Sequence, residues 1–132
     1  MIRYSEQSVD DNDIELGKSS LSSPFLTQGP EIEQFENALS EVCFCNEAIA
    51  VSSATAGLHL AYLAVGLKPG DIVWTVGNTF VATASAAKYC GAEVDFVDIN
   101  IETYNICEHA LEQKLLAAER TPTVLCVVHF AG

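Results

Sequence analysis

The sequence predicts an α/β domain in which a mostly parallel sheet is covered by helices on both faces. Three observations lead there. From Ala48 onward, short apolar runs alternate four times with helix-like stretches. The connections between them are short, as in a sheet whose strands return through helices. Most runs, such as Ile72-Val73-Trp74-Thr75, are continuously apolar, the texture of strands buried on both faces.

Each element follows from local residues. Asp10-Asp11-Asn12-Asp13 supplies acids for a helix N-terminus in the polar opening 1–23. A loop over 22–30 carries two prolines and a glycine, and Pro30 suits the first turn of a second helix. There Ile32, Phe35, Leu39 and Val42 recur at helical spacing. Ala48-Ile49-Ala50-Val51 reads as a short buried strand, followed by a helix over 54–65 that Gly66 closes. Strand 72–75 follows the turn Lys68-Pro69-Gly70-Asp71, and Gly77-Asn78 precedes an alanine-rich helix over 79–89. Strand 94–97, a loop through Asn100 and Tyr104, a helix near 108–119 and strand 124–128 complete the order. The expected division is 1–47, helices and a loop, and 48–132, the α/β body.

Composition narrows the function. The 132 residues carry a net charge of −12, which repels phosphate backbones and anionic lipid and argues against nucleic-acid or membrane-surface binding as the main task. Residues 1–47 hold ten acids against two bases, so the first stretch reads as solvated. No apolar stretch approaches the roughly 20 residues of a membrane span. Five cysteines, an odd number with no CxxC pair, and no signal peptide point to a reducing cytoplasm. Most of those cysteines are expected as small buried hydrophobes.

In parallel sheets ligands gather at the carboxyl ends of the strands. The clearest candidate there is Ser52-Ser53-Ala54-Thr55-Ala56-Gly57, made wholly of small residues at a strand-to-helix junction. The first helix amides lack internal partners and carry the positive dipole end, so a phosphate could approach them, with Ser and Thr hydroxyls as further donors. Ser53 could equally be a plain helix cap. No GxxxxGK[ST] is present, which excludes a triphosphate P-loop. The second candidate is Asn78-Thr79-Phe80-Val81-Ala82-Thr83, where Phe80 could lie flat against a planar ring or serve the core. His129 ends the last strand on the same edge. His59 and His109 read as structural and surface residues. Asp71, Asp95 and Asp98 read as unpaired turn or strand-end acids, and Lys18 and Lys114 as residues of polar helix faces. No metal-ligand spacing and no GxSxG elbow occurs.

Taken in order, FLTQGPEIEQFE, SSATAGLHLAYLAVGLKPGD, TFVATASAAKYCGAEVDFVDI, TYNI and VVHFAG resemble the opening of the DegT/DnrJ/EryC1/StrS sugar aminotransferases. The likeness runs from about Ser5 to Gly132. It implies an incomplete N-terminal part of the fold-type I large domain that binds pyridoxal 5′-phosphate (PLP). It further implies transfer of an amino group from glutamate to a UDP-linked 4-keto sugar, in surface-polysaccharide or nonulosonic-acid synthesis, by a homo-oligomer. By the resemblance Thr55 and Ala56 hold the cofactor phosphate, Phe80 stacks on the ring, and Thr27, Gln28 and Gly29 form a substrate loop at the active-site mouth. His129 lies near the site without an assigned role.

The same resemblance places the aspartate that pairs with the ring nitrogen just past Gly132 and the Schiff-base lysine later still. None of Lys18, Lys68, Lys88 and Lys114 matches that lysine's motif. The expectation is a partial aminotransferase, with no catalytic residue of its own, inactive alone and prone to associate through its last strand. A non-catalytic assembly module and a phosphate- or sugar-nucleotide-binding fragment are the alternatives.

Overall fold

The structure, a computed structural model, describes residues 6–130. Ser5 and the Ala131-Gly132 end of the motifs above lie outside the described residues. The chain divides into two compact units, Met1–Ala50 and Val51–Gly132.

The first unit holds α1 (Asp11–Ser22) and α2 (Pro30–Cys43). The acidic run starts α1 through a capping box: Asp10 accepts from the Asn12 and Asp13 amides, and Asp13 accepts from the Asp10 amide. Pro30 opens α2 as expected. Phe44 ends it in the left-handed region (φ 52), letting the Cys45 amide reach the Ser40 carbonyl. The apolar stripe Ile32, Phe35, Leu39 and Val42 lies on α2 but stays exposed, and no described residue of 6–50 is buried.

Segment 48–51 is a correction to the sequence reading. It forms no strand, and Ile49 and Val51 are exposed. A strand needs a neighbouring backbone, and here the Ala50 amide is taken at 2.7 Å by the Glu36 carboxylate.

The second unit is the α/β body: α3 (Ala54–Ala64), β1 (Ile72–Val76), α4 (Ala82–Tyr89), β2 (Glu93–Val97), α5 (Glu108–Ala117) and β3 (Val124–Leu125). The sheet order is β2-β1-β3, every pair parallel, with Trp74 opposite Asp95 on one side and Leu125 on the other. Central β1 is the most buried strand, as its apolar run requires. Val73 faces the core built by Tyr62 and Leu58 of α3, Ala86 and Ala87 of α4, and Cys90 at the C-cap of α4. On the opposite face Lys114 of α5 stands 4.8 Å from the centroid of the Trp74 ring. Helices therefore cover both faces.

β3 is shorter than expected because its ladder is interrupted. The Cys126 amide still donates to the Trp74 carbonyl, but the Cys126 carbonyl accepts from the Thr75 hydroxyl at 2.9 Å instead of a strand amide. The α4–β2 turn depends on Gly91, whose φ of +78° and approach to Pro69 leave no room for a side chain: a Cβ would sit 2.8 Å from Pro69 Cγ. Of the cysteines only Cys90 is buried. Cys107 and Cys126 are half-buried, and Cys43 and Cys45 are exposed, against the expectation for most of them. The first two exposed thiols fall in the unit without a core, where nothing covers small apolar groups.

Candidate functional site

The α3 N-terminus is built as its small residues suggest. Ser53 takes an extended backbone and its hydroxyl accepts from the Ala56 amide at 3.2 Å, so the capping reading holds. The Gly57 amide continues the helix to the Ser53 carbonyl. Among the described residues the Ala54 amide, the Thr55 amide and the Thr55 hydroxyl make no hydrogen bond. Ala56 can present its amide to an anion only by giving up the Ser53 bond. A Cβ on Gly57 would meet Val51 Cγ2 at 3.4 Å, so the helix start and the incoming chain are close-fitted. Free donors, absent bulk and the dipole's positive end make this terminus fit a phosphate group.

Phe80 follows β1 and is 65% exposed, so the core reading of this aromatic does not hold. Its carbonyl accepts the Thr83 amide at 2.9 Å, and the Thr79 and Thr83 hydroxyls meet at 2.9 Å. Residues 79–81 form this turn, which is why α4 starts at Ala82 rather than Thr79. α3 feeds β1 through the turn over 67–71, so the start of α3 lies towards the sheet edge that carries Phe80. The two helices pack together, and the buried Tyr62 hydroxyl donates to the Thr83 carbonyl at 3.0 Å. Burial first, then the neighbouring Cys126 and Cys90 thiols, pushes the Tyr62 phenol well above its ordinary range, so it stays a proton donor.

The remaining loops at this edge are tied by amides. Asn78 Nδ2 donates to the Tyr104 carbonyl at 2.9 Å, and the Phe130 amide donates to Asn105 Oδ1 at 3.0 Å. The Tyr104 and Phe130 rings lie 5.8 Å apart. Asn78 Oδ1 is buried without a partner. These ties were not read from sequence. An asparagine in a turn is the only hint of them, since Tyr104 holds a left-handed φ of 58° that no side chain there advertises. His129 is exposed in the segment after β3.

Thr27, Gln28 and Gly29 belong to the first unit, between α1 and α2. Gln28 is left-handed (φ 52) and Gly29 is the N-cap of α2, offering no side-chain bond.

On the opposite face of the sheet, the sequence reading missed a pair. Lys114 leaves the polar helix face, bonds Asp95 at 2.7 Å and the Phe96 carbonyl at 2.6 Å, and covers Trp74. The Lys114 bond, then the Phe96 amide, holds the Asp95 carboxyl below the usual range. Among the described residues no group of three or more His, Cys, Asp and Glu side chains could hold a metal ion. None of the described helices is long and apolar enough to cross a membrane.

Residues 7–132 match the DegT/DnrJ/EryC1/StrS aminotransferase family. The chain belongs to that family. It is 42% identical over all 132 residues to the UDP-4-amino-4,6-dideoxy-N-acetyl-β-L-altrosamine transaminase of Campylobacter jejuni, of whose length it covers 35%. A sugar aminotransferase of Streptococcus pneumoniae, solved in its PMP (pyridoxamine 5′-phosphate) form, superposes with a TM-score of 0.87 at 28% identity, over 99% of this chain and 32% of that one. The NtdA protein of Bacillus subtilis with bound PMP gives 0.79 at 32% identity, over 92% and 28%. The chain thus spans about a third of the length of its relatives. The Streptococcus protein is solved in PLP and PMP forms and NtdA with PMP, and their fold is the one the alternation of strands and helices predicted.

Proposed function

We propose that residues 48–132 are the first part of the cofactor-binding domain of a PLP-dependent sugar-nucleotide aminotransferase. The reading is carried by one observation: a helix start with a free Thr55 amide and hydroxyl, towards the sheet edge where Phe80 presents an uncovered ring. Thr55 binds the phosphate, Ala56 joins it by releasing its amide from the Ser53 hydroxyl, and Phe80 supports the ring. Thr27, Gln28 and Gly29 contribute to substrate binding. When bound, the cofactor supplies the electron sink needed to move an amino group between carbons. The chain's own residues anchor and orient it: α3 turns the positive end of its dipole to the phosphate dianion, and Tyr62 holds α3 against the first turn of α4, which follows Phe80 directly.

The name of the Campylobacter relative supports a UDP-linked amino sugar as product. The proposed donor is glutamate and the proposed setting is cytoplasmic synthesis of surface glycans or nonulosonic acids such as pseudaminic acid, both as the family resemblance implies. The exposed apolar residues of both units, among them Phe35, Leu39, Leu125 and Val127, support a homo-oligomer.

Equilibrium dialysis against PMP, which cannot form adventitious imines with surface lysines, tests the cofactor reading. PMP binding that weakens about tenfold in Thr55→Val, and competition by inorganic phosphate, are expected from loss of one hydrogen bond to a charged group. Equal PMP binding by the wild-type chain and Thr55→Val refutes the phosphate site.

A further inference from the structure

Phe80 is held by its backbone while its ring is free, and Asn78 is the part of that clamp without another purpose. On one side the Thr79 and Thr83 hydroxyls meet, and the Phe80 carbonyl takes the Thr83 amide. On the other side Asn78 reaches across to the loop after β2 and donates to the Tyr104 carbonyl at 2.9 Å. That carbonyl is itself fixed. Tyr104 is left-handed, its amide donates to the Asn100 carbonyl, and its ring lies against Phe130.

Asn78 is a poor choice if stability were its role. Its Oδ1 is buried with no partner, and a buried unpaired acceptor costs about as much as the bond at Nδ2 returns. An apolar side chain of similar shape would serve the fold as well. What the amide adds is direction. It pins the turn after β1 to the turn after β2 two residues before Phe80, and so orients the backbone that carries a ring left largely exposed.

We propose that Asn78 is a positioning residue for the aromatic platform: its bond to the Tyr104 carbonyl fixes the Phe80 ring in the plane that a planar heteroaromatic ligand stacks on. The inference rests on the ring-platform reading of Phe80.

The test uses the full chain, Asn78→Leu, which keeps the branching at Cγ and removes the orphaned acceptor, and Asn78→Ala. Each is dialysed against PMP and, separately, against inorganic phosphate, and the circular dichroism that the bound pyridine ring acquires is recorded. In both variants phosphate affinity should stay within about twofold, while PMP affinity falls about tenfold, the scale of one stacked ring, and the ring's dichroism is lost. The Asn78→Leu melting temperature should stay within about 3 °C of wild type. Variants that keep the wild-type preference for PMP over phosphate, and its dichroism, overturn the proposal. So does a parallel loss of phosphate and PMP binding in both variants, which would make Asn78 a general structural residue. A wild-type chain that binds phosphate but prefers PMP no more than phosphate sinks the platform reading itself.

Discussion

Replacing Tyr62 with Phe removes one oxygen from the centre of the second unit and leaves the ring's packing in place. The hydroxyl donates to the Thr83 carbonyl at 3.0 Å, and the residue is only 4% exposed. A neutral buried bond of this kind is worth about 1 kcal/mol, so in a unit of this size the melting temperature should drop by about 4–8 °C. Alkaline pH supplies an independent check. Because burial raises the phenol in the folded chain, the unfolded chain loses this proton first, from its ordinary value of 10.0 upward. The stabilisation from Tyr62 is therefore complete below pH 10 and falls as pH rises, by up to about 1.4 kcal/mol per pH unit. Urea unfolding followed by circular dichroism from pH 8 to 11.5 should show wild type ahead of Tyr62→Phe by about 1 kcal/mol at pH 8, with the gap closing above pH 10 and reversed by pH 11.5. Equal stability of the two proteins at pH 8, or a gap independent of pH up to 11.5, would refute the placement of this hydroxyl in a dry contact between α3 and α4.

Three further outcomes are expected. Gly91→Ala should cost about 2 kcal/mol in urea melts, since the new Cβ meets Pro69 and φ must stay positive. The Asp95 carboxyl is held low by Lys114, so its contribution is present above about pH 4 and is lost as pH falls through its folded value. With Asp95 half-exposed, Asp95→Asn should cost under about 1 kcal/mol at pH 7 and nothing at pH 2.5, measured by thermal melts across that range. A polypeptide of residues 1–132 supplied with PLP, glutamate and a UDP-4-keto sugar should release no 2-oxoglutarate, because none of its four lysines matches the family's lysine motif. Turnover above the protein-free control would contradict that expectation.

The second unit was legible because its signals are local and agree with one another. A continuous apolar run gave β1, while Gly66 and Pro69 marked the end of α3 and the turn into β1. The small residues from Ser52 to Gly57 revealed a helix start, and only the folded backbone divides its amides into the one Ser53 caps and those left at Thr55 and Ala54. Ala48-Ile49-Ala50-Val51 misled because an apolar tetrapeptide states a preference for pairing and not the presence of a partner. Lys114 misled for the opposite reason. Its long stem lets a residue of a polar helix face fold back over Trp74 and find Asp95, a contact set by β2 and α5 together. The Asn78–Tyr104 tie joins loops 26 residues apart, and no spacing rule reaches that far.

Because no described residue of 6–50 is buried, the two units should differ in how long their amides resist exchange. Amides of α1 and α2 have only their own helical bonds to shield them, so deuterium should replace their protons through fraying alone. Those of β1, sandwiched between two strands and roofed by helices on either side, should exchange last. A protease added to the native chain would accordingly shave the amino-terminal helices first and leave the α/β body as its resistant remnant.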